Sequence, residues 1–503
     1  MIEWTPNRKT EAFVFGAIVL GLAMWRFGAT VADPDLWGHV QFGIDKIEAG
    51  AYLRHDIYSY LTRGTTWFNH EWLAEVVMGG VYLWLGPAGL VVTKAIVAAS
   101  VVILLAWVLM REGIDPVRAT FLMALGVVLL TPTFGTFRPQ VFTTLLMTVT
   151  LLIIASFHRG HHHLIWALPP LFALWVNLHG GVISGIVVVW VWAAAYALFD
   201  RRGRRWVPVL VAALCSLAML LNPNGLQHVR FLVETTTVSR PEIVEWEAVD
   251  LLGPLGIIYL VVVGFLGFAL VRSRRELEFA LVIPLIGLSV APLVAGRHLQ
   301  LFVPAAFILG APYLAKTLQR GRADQAVQST AGRALSVLLI VGLVAGSFAV
   351  GRVAVASRCL AIDAKQFLFP ARAVAAVKDA TVEGNAVVPF NWGEYVIWHL
   401  GPELKVSGDG RRETIYPEEA HRANIDFANG SDDWDRILEM APTDWVIQRT
   451  GTAGAQLMVD RVGWALEYQD RVATVFTPID VAMDLVGDDT IPEDGNGLCF
   501  PAP

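Results

Sequence analysis

Residues 33–75 hold two aspartates two positions apart, Asp33 and Asp35, then His39 four positions on, then His55 and Asp56, and finally His70 beside Glu71. Carboxylates in such a cluster can take a proton from a hydroxyl during group transfer, and imidazoles can hold an anion or pass a proton. Asp33 before Pro34 reads as an N-cap with proline at the first helical position. Leu36, Val40, Ile44 and Ile47 then recur at helical spacing, and Gly50 stands where a C-terminal cap belongs. Asp35 and His39 therefore share one face of a short helix. A second element, at about 67–85, starts with Asn69, His70 and Glu71 and then turns apolar. The plainer reading is that Asp33 only caps, and that the Trp, Tyr and Phe residues around it only anchor at a membrane surface.

Composition sets the elements that must position these groups. Of 503 residues, 55% are hydrophobic and 16% charged; the mean hydropathy is +0.54. Long apolar runs recur, which predicts a polytopic α-helical membrane protein. Eleven spans are expected, at 13–31, 88–110, 118–134, 140–157, 164–178, 181–199, 206–221, 254–271, 277–293, 299–315 and 334–352. The first is too long for a signal-peptide core and should stay as an anchor. Arg8 and Lys9, Arg111 and Arg118, Arg159, the DRRGRR and RSRR runs, and Lys316 with Arg320 and Arg322 then fall on one side, expected to be cytoplasmic. This holds only if the apolar piece 72–86 lies in the outer leaflet as a juxtamembrane helix rather than crossing. His161, His162 and His163 read as a solvated flank on the cytoplasmic side.

The opposite face collects the remaining polar residues. These are the 33–75 cluster, Arg138 in TFRPQ, Asn177 and His179 in NLHGG, Asn222, Asn224 and His228 in LNPNGLQH, the EIVEWEAVD loop, and Arg297 with His298 in GRHLQ. Asn222 and Asn224 around Pro223 also suit an ordinary turn, and His179 before two glycines also suits a helix end. The spans carry little charge, Arg26 and Lys94 apart, so the site is expected at the interface rather than at the bilayer midplane.

At about 357 the chain changes character. Residues up to there carry 26 basic and 20 acidic side chains and those after it 12 and 24, or +6 against −12. The predicted division is a membrane domain, 1–356, which includes the first outer loop 32–87, and a small extracytoplasmic α/β domain, 357–503. Its β-like runs are AVVPF, YVIWHL, WVIQR and ATVFTP, and its helical pieces include EEAHRANIDFA and DDWDRILEM. Cys359 and Cys499 bracket this tail and are expected to pair, the alternative being two buried thiols. No nucleotide-binding glycine loop, zinc-spaced cysteines or catalytic serine motif occurs, and no basic patch suggests nucleic acid.

The first outer loop resembles that of the integral-membrane glycosyltransferases of the GT-C class, which include the aminoarabinose transferases of lipid A and the protein mannosyltransferases. Asp35, His39 and Gly50 fall at that class's spacings, and Trp67, Phe68, Asn69 and His70 stand at its closing segment, with Asn69 and His70 in place of a Glu-Lys pair. DPDLWGH, FNHEWLAE, FRPQVF, NLHGG, LNPNG and NWGEY extend the likeness, to a bacterial branch of the class, over nearly the whole chain. Three positions depart from it: Leu36 for a partner acid, His70 for a phosphate-binding lysine, and Arg138 for a second aspartate. The resemblance implies transfer of a sugar from a polyprenyl-phosphate donor to a glycan, lipid or protein acceptor at the outer face of the bacterial cytoplasmic membrane. It implies Asp35 as catalytic group, with Asp33 and His39 beside it. His70, Glu71, Arg138, His55, Asn177, His179, Arg297 and His298 are the candidates for substrate and phosphate.

Physics asks for the same parts. A polyprenyl-linked sugar cannot leave the bilayer, so its transferase needs a polar site at the membrane surface, a base for the acceptor and cations for the departing phosphate. Displacement at the anomeric carbon would invert it. A divalent ion is an option through Asp33, Asp35, His39, His70 and Glu71, although the resemblance implies that monophosphate-linked donors are used without one. A transporter or flippase of a lipid-linked saccharide should show paired charges within its spans and internal repeats, neither of which is found. A nonenzymatic envelope assembly factor would not need the acid and histidine cluster.

Overall fold

The apolar runs fold as helices, the form in which a segment satisfies its own backbone N–H and C=O groups away from water. The structure, a computed structural model, describes residues 6–28, 30–200, 205–235, 244–318, 346, 351, 353–380, 383–431, 433–481 and 483–502. Contacts divide the chain into two compact units, 1–30 with 91–357 and 31–90 with 358–503. The first is the helical unit and the second the loop–tail unit. Residues 31–90, expected within the membrane domain, instead pack with the tail.

In the helical unit, the first ten expected spans coincide with helices and the last, 334–352, lies almost wholly outside the described residues. Among the described residues four helices are long and apolar enough to cross a membrane, Trp72–Arg111, Gln140–His158, Val182–Phe199 and Pro254–Arg272, or up to six if two bent pairs each count as one. Eleven is not reached by this measure, because several apolar helices are short: Val14–Phe27, Pro116–Leu129 and Phe279–Leu293. The bent pairs turn by 106° between Leu221 and Gly225 and by 55° between Ile308 and Ala311. Pro223 and Pro312 lie at these bends, where a missing N–H removes a helical bond.

Three helices frame the loop. Helix α1 is Pro6–Phe27, α2 is Pro34–Ala49 and α3 is Trp72–Arg111. Gly86 leaves the helical region in α3 (φ 62°, ψ −159°) just before Pro87. Residues 72–85 are therefore a separate piece from the apolar run that follows, the division on which the direction of the later loops depends. Helix α2 ends as expected, with Gly50 left-handed at φ 59° and its N–H bonded back to the last turn. Its start differs: Asp33 holds the N-cap position, but its side chain makes no capping hydrogen bond and is fully buried.

The aromatics of the loop are core rather than membrane anchors. Trp37 is fully buried, with ring centroids 4.6 Å from Phe369, 5.1 Å from Tyr395 and 5.1 Å from Phe500 of the tail. Phe42, Tyr58 and Trp67 form a second group. The tail carries a five-stranded sheet of β1 Gly384–Val387, β2 Leu404–Val406, β3 Trp445–Arg449, β4 Trp464–Gln469 and β5 Ala473–Pro478, in the order β2-β1-β3-β5-β4. The first three pair in parallel and the last two join antiparallel. Loop residues 58–60 extend this sheet, Ser59 bridging to Val406. WVIQR and ATVFTP are strands as expected, whereas YVIWHL is the helix Gly393–Leu400. A short apolar run buried nearly all round has no periodicity to tell helix from strand, and here packing on α2 decides. The Cys359–Cys499 disulfide is formed, with Cα atoms 5.0 Å apart.

Candidate active site

In the loop–tail unit, α2 and the first part of α3 cross backbone to backbone at Gly43 and Gly79, where a Cβ on either would strike the other helix. This close crossing brings Glu75 under α2. Its carboxylate accepts hydrogen bonds from Lys46 Nζ at 2.7 Å and Asn69 Nδ2 at 2.6 Å, and lies 3.7 Å from His39 Nδ1. The same His39 nitrogen is 3.9 Å from Glu71, and His70 Nε2 is 3.3 Å from the other oxygen of Glu71. Burial would push the His39 ring down, but Glu75, Glu71 and Asp35 outweigh it and hold its pKa above the ordinary histidine value. Burial likewise pushes Glu75 up, and Lys46 and His39 more than reverse that, so it stays ionised. Asp35, in the first turn of α2, is partly exposed, and a helix N-terminus favours its anionic form.

A second buried charge group lies beside this one. Arg411 donates two bonds to Asp409, at 2.8 and 2.7 Å, and one to Asp56 at 2.5 Å. Its guanidinium stands over Phe42, Tyr58 and Trp67 at about 5 Å. Asp56 also receives the Tyr58 and Ser59 N–H groups and the Thr62 hydroxyl. All three charged groups are buried and mutually satisfied, so they hold loop and tail together rather than await a ligand.

The helical unit presents different chemistry. Arg138 is 3.6 Å from Glu245, Arg297 stacks over Trp246 at 4.6 Å, and the Gly296 N–H bonds the Glu247 carbonyl at 2.7 Å. Three connecting segments therefore meet and bring two arginines together on a partly exposed surface. His298 Nδ1 bonds the Ala291 carbonyl at 3.0 Å. Asn177 and Asn222 bond each other at 3.3 Å and bond the carbonyls of helix ends, while His179 Nδ1 bonds the Thr143 hydroxyl at 2.8 Å and the Gly181 N–H. These are bonds that fix helix ends.

Of the residues singled out from sequence, Asp35, His39, His70 and Glu71 are thus drawn into one neighbourhood. Asp33 is fully buried at the start of α2. His55 is exposed on a short hairpin, bridged to Thr66, and among the described residues no ion pair joins it to these carboxylates. Sequence reasoning missed Lys46, Glu75, Asp409 and Arg411. A lysine on the apolar face of α2 and the acid–glycine–arginine run DGRR were the available signals. Among the described residues no group of three or more His, Cys, Asp or Glu side chains is arranged to hold a metal ion.

This architecture has counterparts. Its fold is shared with solved structures at low sequence identity. ArnT from Cupriavidus metallidurans bound to undecaprenyl phosphate aligns over 94% of this chain and 98% of its own, at 12% identity and a TM-score of 0.52. The same protein in the apo state aligns over 93% and 98%, at 12% identity and 0.53. The oligosaccharyltransferase of Archaeoglobus fulgidus, in complex with Zn and sulfate, aligns over 86% of this chain and 68% of its own, at 13% and 0.52. No family model and no curated protein matches by sequence.

Proposed function

We propose that this protein is a membrane glycosyltransferase that moves one sugar from a polyprenyl-phosphate donor to an acceptor at the outer face of the bacterial cytoplasmic membrane, with inversion at the anomeric carbon. The observation that carries the reading is Asp35. It is partly exposed in the first turn of α2, immediately after the first membrane helix, in a chain with the GT-C fold from end to end. ArnT, one of the structures that shares this fold, is bound to undecaprenyl phosphate, which makes a polyprenyl-phosphate donor the natural choice here.

On this reading Asp35 takes the proton of the acceptor hydroxyl as that oxygen attacks the sugar. The C–O bond to phosphate breaks, and the phosphate leaves with the electron pair. The helix N-terminus favours the anionic form of Asp35. Glu75 and Glu71 raise the pKa of His39, which favours its charged form and offsets part of the local negative charge. Arg138 and Arg297 of the helical unit are the cations assigned to the lipid phosphate, for which the guanidinium fork is suited. His70, with Glu71 beside it, orients sugar or acceptor hydroxyls.

The test is direct. Purified protein in bilayers is supplied with a panel of polyprenyl-phosphate sugars and membrane-extracted acceptors, and release of free polyprenyl phosphate is followed together with the anomeric configuration of the product. Sugar transfer with inverted configuration from at least one donor is expected. Failure to release lipid phosphate from any donor, with donor binding intact, would sink the proposal.

A further inference from the structure

Glu394 opens the Gly393–Leu400 helix of the tail, in the NWGEY segment, and is only 4% exposed. Its Oε2 receives no hydrogen bond from any described residue. The side chain does not end in apolar packing. It lies against Gly38 of α2, where a Cβ would collide with the carboxyl group. It also lies across the bare Cα of Gly410: a Cβ there would come within 2.7 Å of Glu394 Oε1 and 2.8 Å of Asp35 Oδ1. Two carboxyl groups therefore face the same small space, one from the first turn of α2 and one from the tail helix packed on it.

The surroundings decide how the pair is charged. Asp409 and Arg411 act on it from the 408–412 segment and Glu75 from α3, while Tyr395 and His399 lie on Glu394's own helix. Arg411 is committed to Asp409 and Asp56. Two neighbouring carboxylates with little water between them cannot both ionise easily, and the proton settles on the more buried one. Burial first, then Asp35 and Asp409, push the Glu394 carboxyl well above the ordinary range.

We propose that Asp35 and Glu394 act as a pair holding one proton, in which Glu394 is the positioning residue that orients Asp35 and keeps it the ionised member. This rests on Asp35 being the base. The acceptor's proton goes to Asp35 as the new C–O bond forms and the bond to phosphate breaks; Glu394 keeps its own proton throughout. A pair with a single negative charge also repels an arriving phosphate less than two carboxylates would. The tail thereby contributes to the reaction centre itself, beyond any part in binding the acceptor.

The experiment uses the full chain in bilayers with a polyprenyl-phosphate sugar. Glu394→Ala should lower kcat by roughly 10- to 100-fold with the donor KM within about 3-fold, and Glu394→Gln, which still donates a hydrogen bond, should recover to within about 5-fold of the parent. Infrared spectra at neutral pH should show a protonated-carboxyl C=O stretch that disappears in Glu394→Gln. Should Glu394→Ala fail to fold, Gly410→Ala inserts a methyl group between the two carboxyls and should give the same loss in kcat. Parental kcat in folded Glu394→Ala, a Gln variant as slow as the Ala variant, or a carboxyl band unchanged in Glu394→Gln would each overturn the pair. If Asp35→Asn abolishes turnover while Glu394→Ala does not, only the pair fails; if Asp35→Asn is silent, the reading of Asp35 as base falls with it.

Discussion

Two sets of charges are held in opposite ways. In the loop–tail unit Lys46, Glu75, Asp56, Asp409 and Arg411 are all under 10% exposed and each has an ionic partner within 2.7 Å. In the helical unit Arg138 keeps a fifth of its side chain exposed and lies 3.6 Å from Glu245. A desolvated, saturated pair is costly to break and has nothing left to offer a substrate, whereas a guanidinium partly exposed at a surface keeps some of its hydration and is geometrically suited to a phosphate. The contrast separates charges that hold a fold together from a charge that stays partly open to solvent, even though their types are the same.

Several changes would break or sharpen that division. The largest effect expected on stability comes from the disulfide, which spans 140 positions. By loop entropy, replacing Cys359 and Cys499 by serine should destabilise the loop–tail unit by up to about 5 kcal/mol, and measured losses are often smaller. Thermal unfolding with and without reductant measures it. Arg411→Met comes next: it leaves Asp56 and Asp409 as uncompensated buried charges and should cost about 3–5 kcal/mol, seen as rapid proteolysis of the tail. An Arg411→Met protein with parental stability but no activity would mean that the buried pair serves chemistry after all.

Arg138→Ala should do the reverse. It removes a cation from a partly exposed surface, so melting should change little while donor affinity falls by roughly 10- to 100-fold, the loss of one charge-assisted contact. Titration with a non-transferable polyprenyl phosphate reads this. The smallest effect concerns pH. The folded pKa of His39 lies above its unfolded value, so its contribution to stability is complete below about pH 6.5 and is lost as pH rises through the folded value. His39→Gln should flatten that part of the stability profile; a profile of unchanged slope would remove His39 from the network.

What could be read in advance was local. The start and end of α2 follow from Pro34 and Gly50, the shared face of Asp35 and His39 from helical spacing, and β3 and β5 from β-branched and aromatic runs bounded by turns. What could not be read depended on partners far away in sequence. Arg411 meets Asp56 across 355 positions, and Glu75 reaches Lys46 only because Gly43 and Gly79 allow the helices to touch. YVIWHL looked like a strand because its burial against α2 is invisible in the run itself. Asp33 was expected to cap with its side chain, but a fully buried carboxyl at that position is fixed by what lies over it, which no local signal reveals.

The role of Asp35 is tested most directly by single-turnover transfer in Asp35→Asn and Asp33→Asn, with donor binding measured separately on each. Asparagine preserves shape and removes the proton acceptor. The account predicts that Asp35→Asn binds donor normally and transfers 10²- to 10⁴-fold more slowly, while Asp33→Asn stays within about 10-fold of the parent rate and changes thermal stability instead. Full transfer by Asp35→Asn, with loss in Asp33→Asn, would contradict it.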